Sequence, residues 1–472
     1  MLVTGGGVIE SKMYGPSARL GRIPATIVGT VRALIARKGP WFPINLLVFG
    51  ALAVWLALGI ARASGVFEQS YLIVRVIALG YAVIFAYLSF VLERRGNARL
   101  LLHFAAACVC GEIVLRAMGS LGAGVKNDRP WREPRPYFMF GGPTGGRAVN
   151  LLPAMDEGAG RAIRLNAEGF RTREIVSPKP ADEIRIFFLG GSTVIGGYQV
   201  ETTIPGVVEA HLHANGLPQA RTYNFGVLSF VSGQELALFV HRLIDLKPDL
   251  VIAYDGGNDL YQPWVYDPRP GYPFNFVTEE EAMTSLANRE GDAKTMASLA
   301  RDSALLQALL GTTDWFNRMT MRLDRLRGAV DYGSAQWKEA VVIAYARNLT
   351  QMCHFARGNG TLFAAYFQPL LAYSKALDAN QAASTGGDAM VGSLRQQRDL
   401  TLRAIRTQLP APSAGAGCRF GNLSGILEND AAAFTDAIHV DTKSNQLIGR
   451  RIAEDLLAWP ALQAKRGARP AN

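Results

Sequence analysis

Two long apolar runs near the N-terminus limit the folds open to this chain. Phe42 to Ala61 is almost unbroken, and Tyr71 to Leu92 is interrupted by Arg75. Each reaches the roughly 20 residues that a helix needs to cross a bilayer. A third run, Leu100 to Met118, is weaker because it carries polar and charged side chains, namely His103, Glu112 and Arg116. We expect two membrane spans, with the third run either spanning or lying as an interfacial or buried helix.

Basic residues next to the runs predict an orientation. Three of them, Arg32, Arg37 and Lys38, precede the first run, and three others, Arg94, Arg95 and Arg99, follow the second. Only Arg62 follows the first run. Because lysine and arginine collect on the cytoplasmic side, the N-terminus and the loop at 93–99 are predicted to be cytoplasmic. If the third run spans, the remaining chain lies outside the cytoplasm. The basic residues at 126–135 run against this rule, although long exported domains tolerate such charge.

The net charge of +10 does not predict nucleic-acid binding. Much of the excess flanks the apolar runs, where anionic lipid headgroups would attract it, and no basic stripe interleaved with aromatics is present. The lipid bilayer is therefore the predicted partner, with protein partners left open. No spacing of cysteine or histidine indicates a metal site, and no cofactor is predicted. Cys353 and Cys418 could pair if the domain is exported, which the sequence leaves undecided.

From Ile184 onward, short apolar runs alternate with stretches of helical periodicity. The runs are "IRIFFLG", "ARTYNFG", "DLVIAYDGG" and "TLFAAYFQP", and one helical stretch is Gln234 to Leu246. This alternation predicts an α/β fold with a mostly parallel sheet covered on both sides. An amphipathic helix at Asn445 to Trp459 closes the domain. Residues 376–394 and 409–417 have the composition of loops.

An insertion of about 80 residues interrupts the alternation after Leu260. It begins with aromatic residues, Tyr261, Trp264, Tyr266, Tyr272, Phe274 and Phe276, and is predicted to continue as helix. These rings could stack on sugars beside the site or form a lid packed on its own core.

The unusual residues of the soluble part follow its predicted strands. Ser192 comes after Gly190 and Gly191, Gly226 after the second strand, and Asn258 after the third. The last helix is preceded by "TDAIHVD", which contains Asp436 and His439. Because ligands of open parallel sheets bind beyond the carboxyl ends of the strands, these side chains can converge in space.

This pattern resembles the SGNH (GDSL-type) hydrolases, over about Ile184 to Leu457. "GGST", "NFGVLS", "GGND" and "DAIH" resemble the family's sequence blocks that supply Ser, Gly, Asn and His. The chain departs from the pattern at Gly191, where the GDSL motif has Asp, and in the long insertion. The G-x-S-x-G elbow of α/β-hydrolases is excluded, because position 194 is Val. The resemblance implies a flavodoxin-like three-layer α/β/α sandwich, in a bacterial membrane-anchored member of the family.

The resemblance also implies roles for the residues. Ser192 is the expected nucleophile, His439 the base that takes its proton, and Asp436 the group that orients the imidazole. The expected oxyanion donors are the backbone N–H groups of Ser192 and Gly226 and the side-chain amide of Asn258.

The sequence predicts a multi-pass serine esterase of the bacterial inner (cytoplasmic) membrane. Its catalytic domain is expected on the periplasmic or extracytoplasmic side, and its substrate is expected to be an acylated carbohydrate or other envelope ester. Two alternatives stay open: a polysaccharide O-acetyltransferase that uses the same residues, and an inactive membrane-tethered glycan-binding scaffold. The predicted divisions are a basic cytoplasmic segment at 1–41, a membrane region at 42–118, a linker and entry segment at 119–180, the hydrolase domain at 181–460 with its insertion at about 260–340, and a tail at 461–472.

Overall fold

A computed structural model of the chain describes residues 25–61, 69–122, 132–155, 157–158, 160–277, 279–280, 322–408 and 417–467. These residues form two compact units, of which the first ends at Gly119 and the second begins at Ser120. The insertion is only partly described, so its predicted helical content between 281 and 321 lies outside the described residues.

The N-terminal unit is helical. Its helices are α1 (Ala25–Lys38), α2 (Trp41–Ala61), α3 (Gln69–Val91) and α4, which runs on to the start of the second unit (Arg94–Gly122). Among the described residues, Trp41–Leu58 is the one stretch long and apolar enough to cross a bilayer, judged by length and composition, and Val76–Val91 is a shorter apolar stretch. The first predicted span therefore has a matching helix. The second and third spans fall within α3 and α4 and stay predictions.

A buried polar pair joins α2 to α4. Asn45 Nδ2 donates to the backbone oxygen of Asn97 at 3.0 Å and to its Oδ1 at 3.2 Å. Both asparagines are fully buried. An amide pair inside an otherwise apolar helical unit fixes which helix faces meet, because any other rotation would leave these groups unpaired.

The C-terminal unit is built on a five-stranded parallel sheet. The strands are β5 (Ile184–Gly190), β6 (Ala220–Asn224), β7 (Leu250–Asp255), β8 (Leu362–Phe367) and β9 (Cys418–Asn422). Their spatial order is β6-β5-β7-β8-β9, and every pairing between neighbours is parallel. This is the strand order of flavodoxin-like folds. The α/β fold with a parallel sheet is confirmed.

Helices cover both faces of the sheet because successive strand residues point to opposite sides. Phe187 and Leu189 of β5 face one core, and Ile186 and Phe188 face the other. The first face is covered by α7 (Ser232–Leu238), α9 (Ala335–Gly358) and α11 (Asp388–Gln408), and the second by α6 (Ile204–Ala214), α12 (Thr442–Leu457) and α13 (Pro460–Gly467). Three shorter helices are α5 (Ser192–Ile195), α8 (Gly257–Val265) and α10 (Ala379–Ser384).

Three local expectations need correction. Residues 376–394, predicted to be loop, contain α10 and the first turns of α11. Asp378 caps α10 by accepting the Gln381 N–H at 2.8 Å, a local signal that outweighs the loop-like composition. The predicted helix Gln234 to Leu246 is α7 followed by a π-turn and a 3₁₀ turn. Strand β9 was not expected, because its sequence "CRFGN" has few apolar residues.

The entry segment before the sheet is folded. It forms two antiparallel hairpins, β1 (Glu133–Arg135) with β2 (Met139–Gly141), and β3 (Ala148–Asn150) with β4 (Ala162–Arg164). The segment packs through the buried aromatic residues Phe138, Phe140 and Phe170, which belong to the core that includes β5. It therefore belongs to the same compact unit as the sheet.

Candidate active site

Ser192 lies at the carboxyl end of the central strand β5. Gly190 pairs with Tyr254 of β7, and Phe188 pairs with Asn224 of β6, so these three strands end at one edge of the sheet. Gly190 has φ of +153°, and a Cβ at this position would lie 2.5 Å from the Tyr254 carbonyl oxygen. Only glycine can turn the chain there, and the turn places Ser192 as the first residue of α5.

Two buried side chains hold α5 in place. The Arg171 Nη1 donates to the carbonyl oxygens of Ile195, at 2.5 Å, and Gly197, at 2.9 Å. Asn224 Nδ2 donates to the Val194 carbonyl at 2.7 Å. A helix of four residues leaves its last carbonyls without intrahelical donors, and these contacts supply them.

The structure brings Ser192, His439 and Asp436 together. His439 Nε2 lies 2.7 Å from Ser192 Oγ, and His439 Nδ1 lies 2.7 Å from Asp436 Oδ2. A carboxylate only accepts hydrogen bonds, so Nδ1 carries the proton and Nε2 is left as the acceptor for the serine hydroxyl. Ser192 is 5% exposed, and the His439 side chain is 11% exposed.

A tight turn explains the spacing of three between Asp436 and His439. Asp436 Oδ1 accepts the backbone N–H of Ile438 at 2.8 Å and that of His439 at 2.7 Å, while Oδ2 binds the imidazole. The Thr435 N–H closes the turn on the His439 carbonyl at 3.0 Å. The carboxylate thus fixes both the backbone and the ring of His439.

These bonds decide the charge of Asp436. Burial on its own would raise the pKa of this carboxyl, but the hydrogen bonds and charge of His439 outweigh burial, and the pKa lies below its ordinary value. Asp436 is therefore ionised at neutral pH, as stabilisation of an imidazolium requires.

The predicted oxyanion donors have different surroundings. The Ser192 N–H begins a helix and has no intrahelical acceptor. Asn258 Nδ2 donates one hydrogen to the Phe230 carbonyl at 2.8 Å, which leaves its second hydrogen. The Gly226 N–H donates to Asn224 Oδ1 at 3.0 Å, so an oxyanion would have to share or displace that bond. Ser192 and Asn258 are the better placed donors.

The Gly191 backbone lies directly against the Asn258 side chain. A Cβ on Gly191 would overlap with the Asn258 amide nitrogen, because that amide lies directly against the Gly191 backbone. Glycine at this position allows the amide to approach the turn that carries Ser192.

Gln368 was missed by the sequence reasoning. It follows β8, is 3% exposed, and lies between the serine turn and α8. Thr193 Oγ1 donates to its Oε1 at 3.3 Å, and a Cβ on Gly257 would overlap with its Nε2. The rule that residues just after parallel strands gather at one rim would have identified it, had it been applied to the fourth apolar run.

A buried cluster of three carboxyl groups is formed by Glu235 of α7, Asp255 at the end of β7 and Asp259 of α8. Ser232 donates to Asp259 Oδ1 from its hydroxyl at 2.5 Å, and Tyr345 donates to Asp255 Oδ1 at 2.6 Å. Burial raises the pKa of Asp255 to about 6 and, with the Asp255 charge, that of Asp259 to about 7. Burial and the two aspartates raise the pKa of Glu235 well above its ordinary value.

Among the described residues, no group of three or more His, Cys, Asp or Glu side chains is placed to hold a metal ion. Cys353 and Cys418 form a disulfide between α9 and β9.

Comparison with known proteins finds similarity in structure only. No family model and no curated protein matches the sequence. Solved structures that match include an α/β hydrolase from the metagenome of Lake Arreo (16% identity, TM-score 0.30, 61% of this chain and 96% of that chain). A catalytic mutant of an acetylxylan esterase from Geobacillus stearothermophilus also matches (13% identity, TM-score 0.32, 59% of this chain and 95% of that chain). A GDSL-like lipase from Bacteroides thetaiotaomicron matches as well (12% identity, TM-score 0.31, 59% of this chain and 92% of that chain).

Proposed function

We propose that this protein is a membrane-anchored SGNH-type serine esterase. The observation that carries the proposal is the chain of two 2.7 Å contacts, from Ser192 Oγ to His439 Nε2 and from His439 Nδ1 to Asp436 Oδ2. A serine hydroxyl is unreactive at neutral pH until a base takes its proton, and this arrangement supplies a base and an orienting carboxylate.

The mechanism has two halves. Ser192 Oγ attacks the ester carbonyl while His439 Nε2 takes its proton, and the negative charge on the former carbonyl oxygen is stabilised by the Ser192 N–H and the Asn258 amide. When the intermediate collapses, the alcohol leaves with the proton from His439, and the acyl group stays on Ser192. A water molecule then attacks the acyl-enzyme with His439 again as base, which releases the acid and restores Ser192.

An acylated carbohydrate is the substrate class that we propose. Partly exposed aromatic rings lie at and beyond the first turn of α8, where Asn258 also resides, and such rings can stack on sugars. They include Tyr261, Tyr266 and Phe274.

Membrane anchoring and export complete the proposal. The apolar stretch Trp41–Leu58 and the basic residues around the predicted spans support an inner-membrane anchor with the N-terminus in the cytoplasm. The Cys353–Cys418 disulfide supports an oxidising compartment for the catalytic unit, because disulfides are rare in the cytosol. A C-terminal fusion to alkaline phosphatase, which is active only when exported, should be active in cells; an inactive fusion with an active cytoplasmic reporter at the same position would contradict export.

The test of the reaction is mass spectrometry of an acetylated oligosaccharide incubated with the full-length protein in detergent. Loss of acetyl groups by the wild type, abolished in Ser192→Ala, is the expected result. Gain of acetyl groups from an added donor would instead support an acetyltransferase, which uses the same residues with a sugar hydroxyl in place of water. Binding without either change would support a scaffold.

A further inference from the structure

Arg132 is held beside the loop that positions Asn258. Its Nη2 donates to Ser229 Oγ at 2.8 Å. The carbonyl of the next residue, Phe230, accepts the Asn258 amide at 2.8 Å, and the Ser229 carbonyl accepts Gln262 Nε2 at 3.0 Å. Chain geometry therefore puts the guanidinium on the order of 10 Å from the Asn258 amide, within reach of an oligosaccharide bound at the site.

An aromatic wall joins Arg132 to the other side of the site. The guanidinium lies 4.0 Å from the centre of the Phe274 ring, which packs edge-on against Tyr266 at 4.7 Å between ring centres. Tyr261 lies one turn after Asn258 in α8, and burial, then Tyr266 and then the Asp436 carboxylate raise its pKa. Arg132, Phe274, Tyr266 and Tyr261 all keep part of their surface exposed.

Arg132 forms no ion pair within 4 Å among the described residues, and the Glu279 carboxylate acts on its charge only from a greater distance. Arg135 and Arg147 both form ion pairs with Glu133. Arg132 instead donates a hydrogen bond to Ser229 and lies over the Phe274 ring. Its guanidinium carbon is also 4.9 Å from the centre of the Phe140 ring. Its Nε is buried with no partner there. Burial lowers the pKa of Arg132, which Tyr266 and Glu279 partly offset, yet a guanidinium remains charged in proteins. A partly desolvated cation of this kind gains most from an anionic ligand.

We propose that Arg132 and the wall of Tyr261, Tyr266 and Phe274 form a subsite for an anionic group of the substrate. The ester is then carried on an acidic glycan, whose carboxylate or phosphate accepts hydrogen bonds from the planar guanidinium while the sugar ring lies on the aromatic wall. This inference rests on the proposed esterase function and adds the charge of the substrate to it.

The experiment compares two acetylated oligosaccharides that differ in charge, oligogalacturonate and xylo-oligosaccharide, with full-length protein. The measured quantity is the ratio of kcat/KM for the acidic substrate to that for the neutral one. Arg132→Met keeps an apolar stem on Phe274 and removes the charge; we expect the ratio to fall about tenfold to a hundredfold, mainly through KM. Arg132→Lys should retain part of the preference. Arg147→Met, which removes the same charge from a residue paired with Glu133, should leave the ratio as in the wild type.

A second measurement does not depend on how the variants fold. For the wild type, raising NaCl from 0.05 to 0.5 M should raise KM for the acidic substrate and not for the neutral one, because salt screens the attraction. An acetylated sugar phosphate, assayed in the same way, distinguishes phosphate from carboxylate recognition.

An equal loss of kcat/KM for both substrates in Arg132→Met, or a salt-independent KM for the acidic substrate in the wild type, would overturn the subsite. Failure of the esterase proposal looks different, because the wild type would then release acetate from neither substrate. In that case, calorimetric binding of the acetylated oligogalacturonate to wild type and Arg132→Met still tests the subsite, which requires weaker binding to the variant.

Discussion

The Asn258 amide nitrogen occupies the space in which a Gly191 side chain would lie. This contact couples α8, which carries Asn258, to the turn that carries Ser192. It also fixes the approach of the proposed oxyanion donor Asn258 to the proposed nucleophile Ser192.

Gly191→Ala should therefore lower kcat by about 10² to 10³, the loss typical of removing one oxyanion donor, because the new methyl group must displace the Asn258 amide. The measurement is steady-state hydrolysis of a small chromogenic acetate ester. Gly392→Ala is the matched control, since no atom lies within 4 Å of a Cβ at that position, and it should keep wild-type activity. An active Gly191→Ala protein would mean that the amide is not needed where it lies.

Asp436→Asn should lower kcat by about 10⁴ with little change in KM, because the amide can favour the wrong tautomer of His439 and cannot stabilise the imidazolium. The low pKa of Asp436, set by His439 against the effect of burial, keeps the wild-type carboxylate ionised at pH 5 and above. The wild type should thus lose no activity through Asp436 between pH 8 and pH 5. Asp430→Asn, at an exposed aspartate in the same region, is the control. A loss of less than tenfold in Asp436→Asn would remove Asp436 from the mechanism.

The buried carboxyl cluster should make the protein less stable as pH rises. In the folded protein the pKa of Asp255 is about 6 and that of Asp259 about 7, and the pKa of Glu235 is also raised. The ordinary values are near 4, so at pH values between the unfolded and the folded pKa the folded state binds more protons than the unfolded state. The stability contributed by these groups is therefore fully present below about pH 4 and is lost as pH rises through their folded pKa values.

Thermal unfolding in detergent from pH 4 to pH 8 measures this effect. Glu235→Gln should flatten the pH dependence, because the amide stays neutral, while Glu339→Gln on the exposed surface of α9 should not alter it. A wild-type stability that rises steadily to pH 8 would contradict raised pKa values in the cluster.

The disulfide should contribute about 4 kcal/mol to the free energy of unfolding, as the loop it closes, with a sequence separation of 65, restricts the unfolded chain. Adding a reductant should lower the urea midpoint of the wild type. The Cys108→Ala/Cys110→Ala protein, whose substitutions lie at the two free cysteines, should respond to the reductant as the wild type does. Cys353→Ala/Cys418→Ala should be less stable and insensitive to it.

The sequence predicts the centre of the fold better than its edges. Strands β5, β7 and β8 are buried on both faces and are therefore continuous apolar runs that can be recognised without a structure. The edge strand β9 is only partly buried, so its composition gives no such signal. The π-turn after α7 and the fold of the entry segment depend on packing against the sheet, which no local pattern encodes.

The same distinction applies to the site. The sequence suggests one rim because Ser192 and Asn258 follow predicted strands. Asp436 and His439 come directly before the closing helix. The roles of Asn224 and Gln368 depend on which carbonyl or glycine each side chain reaches across the rim, and that information arises only from the packed structure.

We propose that His439 makes Ser192 a nucleophile, and covalent labelling of Ser192 tests this proposal. A fluorophosphonate probe should add one adduct to the full-length protein, located at Ser192 by peptide mass spectrometry, with labelling slowed by orders of magnitude in His439→Ala and absent in Ser192→Ala. A folded wild-type protein that takes up no probe, or one labelled equally fast without His439, would contradict the account.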